Sequence, residues 1–142
     1  MNNTHHKTQW QPINFAAYLS FIKWQVLLAV IVELAFRYFA HRYWTTLNFQ
    51  TEEVILWIWR LLILFWLAKK SLKSFGYSLP IAGMIGLFAG FFMGIVISLS
   101  RFVDGFRVWK LFNIINETTL AIIVGCLFTL ASVYLLHFFK RK

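Results

Sequence analysis

The chain is poor in acids and in chain breakers: only five Asp and Glu, one cysteine and two prolines stand among 142 residues. The lone Cys126 excludes an internal disulfide and any multi-cysteine metal site. With Pro12 and Pro80 as the only prolines, long stretches contain nothing that must break a helix. Charged residues make up only 13% of the chain, where a soluble domain usually carries about a quarter. No Gly-rich phosphate loop, HExxH or GxSxG sequence occurs, and no histidine pair has ligand spacing beside a carboxylate. No enzymatic activity, cofactor or metal is therefore expected.

What is abundant is apolar: 60% of the residues are hydrophobic and 20% aromatic. A water-soluble domain of this size buries only about two-thirds of the surface its chain exposes, so the excess needs lipid. The formal charge of +9 does not point to nucleic acid, because the basic residues sit at the ends of apolar runs. There, positive-inside topology and anionic lipid headgroups account for them. The first segments do not resemble a cleavable leader, since Lys23 interrupts the apolar run and no small-residue cleavage site follows.

The pattern predicts a single all-α integral membrane domain over 1–142, with a polar tail at 1–12 and four spans near 13–40, 54–68, 79–99 and 120–139. The first, third and fourth are long enough to cross a hydrocarbon core of about 30 Å. The second has only 15 strongly apolar residues between Glu53 and Lys69, so it needs little tilt or snorkelling lysines. Asn116, Glu117, Thr118 and Thr119 resemble a start for the fourth helix, with the acid at its positive end. The connection 101–116 carries aromatics and cations at roughly helical spacing, and reads either as a short amphipathic element in the headgroup region or as a continuation of the third helix. Lys7, Lys69, Lys70, Lys73, Lys140, Arg141 and Lys142 would share one face, against Arg42, Arg101, Arg107 and Lys110 on the other. That bias puts both termini in the cytoplasm of a bacterial inner membrane, with the basic residues against headgroups.

Two constellations stand out. Ala82, Gly86, Gly90, Gly94 and Ser98 recur at every fourth position and draw a nearly smooth stripe along one helix face. Glycine costs a helix about 1 kcal/mol relative to alanine, and in a bilayer repeated small residues let two backbones approach closely. The partner could be a second small-residue stripe, Ala121, Gly125 and Thr129, another copy of the chain, or a lipid or pore lumen. The other constellation is intramembrane charge. Glu33 and Arg37 are spaced i, i+4, with Lys23 and His41 on nearby faces, and Arg60 lies in the middle of the second span. Antiparallel helices would place Glu33 and Arg60 within about one turn of depth. Glu33 is expected to bridge to Arg60, shared with Arg37, locking the first helix to the second; the same residues could instead line an ion, proton or anion path. The seven tryptophans are expected mainly at interfaces, with Trp57, Trp59 and Trp66 facing lipid.

Two functions from different classes follow. One is a non-catalytic subunit or assembly factor that packs against other membrane proteins. The other is a homo-oligomeric small transporter or channel that uses Glu33 and Arg60.

Overall fold

The computed structural model describes residues 15–43, 48–103 and 111–140. They form four helices, α1 (Phe15–Tyr43), α2 (Phe49–Phe75), α3 (Leu79–Val103) and α4 (Leu111–Lys140). Three of these, over Phe15–Ala40, Leu79–Leu99 and Asn113–Lys140, are long and apolar enough to cross a membrane. The fold is all-helical, and those three helices mark it as a membrane protein. At 27 residues α2 is longer than α3 and shorter than α1 and α4, but Glu53, Arg60 and Lys69 divide its apolar run.

The helix ends follow local chemistry. Asn48 caps α2, its side chain accepting from the Gln50 amide at 3.4 Å. Glu52 then sits in the first turn and Lys73 in the last, each favourable to the helix dipole. At Gly76 the backbone turns to φ 69°, a conformation that glycine adopts without strain. Pro80 follows in the first turn of α3, where its missing N–H costs nothing. A connection of only three residues, 76–78, makes α2 and α3 antiparallel neighbours.

Helix α4 buries an unusual face. On α4 the buried positions are Ile114, Thr118, Ala121, Gly125, Thr129, Ser132 and Val133, one face of the helix. Five of these seven are small or hydroxylated, while Leu120, Ile123, Leu127 and Leu135 point outward. A soluble helix does the reverse. Such a polarity inversion suits a hydrocarbon surround, in which large apolar side chains lose nothing by exposure.

Among the described residues, all helix pairs are in contact except α1 with α4. The bundle is therefore two triangles, α1–α2–α3 and α2–α3–α4, sharing the α2·α3 edge. The small-residue stripe of α3 faces α4. A β-carbon at Gly86 would run into the Gly125 carbonyl, and one at Gly90 into the Ala121 carbonyl. At Gly94 it would meet the Thr118 Cα at 2.9 Å. Ala82, at the far end of the stripe, packs with Ala68 and Val133.

Several boundaries differ from the sequence-based expectation. Helix α4 begins at Leu111 instead of Leu120, so Glu117 is not a cap but lies more than a turn inside the helix. With no proline or glycine from Leu111 to Thr119, the helix continues backward, and Glu117 finds partners within the bundle. Of the 41–53 stretch, expected as a polar connection, residues 41–43 end α1 and 49–53 open α2 behind the Asn48 cap, while 44–47 lie outside the described residues. Of the connection 101–116, residues 101–103 end α3 and 111–116 open α4, while 104–110 lie outside the described residues. So do the tail at 1–12, Arg141 and Lys142.

Candidate functional site

The acidic residues of the described chain converge on two arginines. Glu33, fully buried on α1, accepts from Arg60 of α2 in a fork: Nε to Oε2 at 2.9 Å and Nη2 to Oε1 at 2.6 Å. Arg37, one turn along α1, donates to the same Oε1 from Nη2 at 3.0 Å and from Nε at 3.3 Å. Its remaining reach goes to α2, where Nη1 meets Glu52 at 3.1 Å and Nη2 meets Glu53 at 2.9 Å. From α4, Glu117 stands 3.5 Å from Arg60 Nη2, and it accepts from Ser98 Oγ of α3 at 3.2 Å. Every helix thus contributes to one cluster.

Each position has a physical reason. Residues 29, 33, 37 and 40 share the face of α1 turned to the bundle, so Glu33 must be buried if α1 packs at all. A carboxylate without water needs two or more strong donors, and the planar guanidinium supplies them as a matched pair. The face of Arg60 is covered as well: Trp57 lies 4.7 Å from its Cζ, in cation–π range. Trp59 donates its indole N–H to the Ala29 carbonyl at 3.3 Å, one turn deeper. Trp57 and Trp59 are therefore half-buried with internal tasks, contrary to the lipid-facing expectation; only Trp66 of that trio is exposed.

The arginines are not equally satisfied. Arg60 Nη1 is buried and has no hydrogen-bond partner among the described residues. The hydroxyls of Thr118 and Thr129 on α4 are in the same condition.

Other expected site residues lie elsewhere. Lys23 is exposed, 5.7 Å from the Trp24 ring, and takes no part in the cluster. Lys69, Lys73 and Lys140 are exposed at the opposite end of the bundle. Between them Lys70 is half-buried and donates to the Phe21 carbonyl at 2.7 Å. With its amide oriented to satisfy both groups, Gln25 also accepts from Lys70 at 3.1 Å. Burial lowers the Lys70 ammonium below the ordinary lysine value.

Sequence reasoning missed three members: Glu52, Glu53 and Glu117. The first two were recoverable, because pairing Glu33 with Arg60 in antiparallel helices leaves Arg37 about one turn from Glu53. Glu117 was masked by its resemblance to a helix cap. Comparison with known protein families, characterised proteins and solved structures finds no match. The site must be read from its own chemistry.

Proposed function

We propose that the protein is a four-span protein of the bacterial inner membrane, with both termini cytoplasmic, that works without catalysis as a subunit or assembly factor of a membrane complex. Counting α2 as the fourth span is supported by the ion pairs of Arg37. Glu52 and Glu53 would be prohibitive at the edge of the hydrocarbon on their own, but α1 delivers a guanidinium to both. With that compensation the crossing of α2 can extend back toward Phe49, giving about 30 Å at 1.5 Å per residue. The connection 101–116 would rest among the outer headgroups, its ends continuing α3 and α4.

The observation that carries the subunit reading is the shared α2·α3 edge. Four helices arranged as two triangles have their centre filled by that contact, which favours a packed bundle over a central channel within one copy. The small-residue groove is also occupied, by α4. What the described helices turn outward is a set of large apolar side chains, most of them on α1, α2 and α4, suited to lipid and to partner helices. Purification from a mild detergent, followed by mass determination of the intact particle, tests this. Distinct chains retained at fixed ratio are the expected result; a pure homo-oligomer would reject it.

A second reading, a homo-oligomeric transporter of a small polar solute, is favoured by one observation. Arg60 Nη1 is a buried donor for which the described residues supply no acceptor.

A further inference from the structure

Arg60 presents two hydrogen-bonding edges. The side-on edge, Nε with Nη2, is filled by Glu33. The end-on edge, Nη1 with Nη2, is not: among the described residues the buried Nη1 has no acceptor, and Nη2 reaches Glu117 only at 3.5 Å. A charge-assisted N–H···O contact normally closes to about 2.7–2.9 Å, so Glu117 covers half of this edge and covers it loosely. A third donor converges on the same place, because Ser98 Oγ holds the other oxygen of Glu117 at 3.2 Å. The Trp57 ring lies 4.7 Å from the guanidinium carbon, in cation–π range.

We infer that this edge, Arg60 Nη1 and Nη2 together with Ser98 Oγ, is a binding site for a small carboxylate, with Glu117 as the resident group that the ligand displaces. The inference rests on the solute-handling reading for its purpose. Its chemistry rests on the edge itself. Two coplanar oxygens match the fork of a guanidinium, which a spherical halide cannot do. A monoanion that takes the place of Glu117 leaves the charge beside Arg60 unchanged, in a pocket that already holds Glu33, whereas a doubly charged phosphate would add to it. Glu117 can yield, since it lies near the end of α4 and its side chain retains 10% exposure.

The test uses the full chain in mild detergent, with acetate as probe and chloride as control, read by titration calorimetry. Glu117→Gln removes the competing charge but keeps the shape, so acetate should bind about tenfold tighter than to the wild type. Ser98→Ala should weaken acetate binding to the Glu117→Gln protein several-fold, and it keeps the test independent of any Arg60 variant that fails to fold. Equal acetate affinity in the wild type and in folded Glu117→Gln, saturable binding in neither, or equal competition by chloride overturns the site. Flux of labelled acetate into proteoliposomes separates the site from the reading it serves. Tighter binding without flux keeps the site and removes the transport reading. Flux with binding indifferent to Glu117 and Ser98 does the opposite.

Discussion

Arg60 is the residue on which most depends. Buried ion pairs are costly to assemble, because desolvating each charge offsets much of the attraction between them. Breaking one is worse, since the survivor stays buried without its partner. Arg60→Met should therefore destabilise the protein by about 3–5 kcal/mol, because Glu33, with no exposure, keeps only Arg37. Arg37→Met should cost less, about 2–3 kcal/mol, since Glu33 retains its fork to Arg60 while Glu52 and Glu53 lose the guanidinium they share. Unfolding in a graded denaturing detergent measures both; equal losses would show that burial does not set the ranking. The Glu33–Arg60 pair was legible in the sequence because a lone charge within an apolar run implies a partner at equal depth. The roles of Glu52, Glu53 and Glu117 were not legible, because acids near span ends have an adequate local explanation as caps and flanks. Only the assembled register shows that Arg37 and Arg60 reach them.

The contact between α3 and α4 turns on which glycines face backbone and which face side chains. At Gly90 an added methyl meets the Ala121 carbonyl and main chain, which cannot move aside, so the two helices must separate. Gly90→Ala should cost about 1–3 kcal/mol, as overpacking does, and this outweighs the gain of nearly 1 kcal/mol in helix propensity. Gly83 is the control. There the methyl would meet only the side chains of Leu130 and Cys126, at 3.4–3.7 Å, which is ordinary contact. Gly83→Ala should be neutral or stabilising. Parallel melting curves of the two variants decide the matter, and a Gly90→Ala protein as stable as the wild type would mean that the helices are not held this closely. The fourfold spacing of small residues announced a close helix contact, since nothing else justifies three glycines in a row of turns. It could not name the partner, because any smooth face fits, including a second copy. The start of α4 was misread for a related reason: polar residues at a helix entrance and polar residues buried against arginine look alike until the neighbouring helices are in place.

The whole molecule is polarised along its axis. Lys69, Lys70, Lys73 and Lys140 gather at the end made by the start of α1 and α3 and the finish of α2 and α4. The carboxylates lie toward the other end, where Glu52, Glu53 and Glu117 surround the two arginines. Lys70 is tied to the Phe21 carbonyl, so the basic end is fixed to α1 as well as drawn to headgroups. Lysine and arginine bias orients helical membrane proteins, and the count over the full sequence is seven against four. Helix α2 decides what that bias means. If α2 crosses the membrane, both termini share the lysine-rich cytoplasmic side and the 44–48 connection lies outside. If α2 stays at the surface, only three helices cross and the termini fall on opposite sides. Green fluorescent protein and alkaline phosphatase, each fused after Lys142 and, in separate proteins, before Met1, distinguish these cases. Fluorescence without phosphatase activity at both ends is the expected outcome. Phosphatase activity at one end alone would show that the ion pairs of Arg37 do not carry Glu52 and Glu53 into the membrane, and α2 would lose its place among the spans.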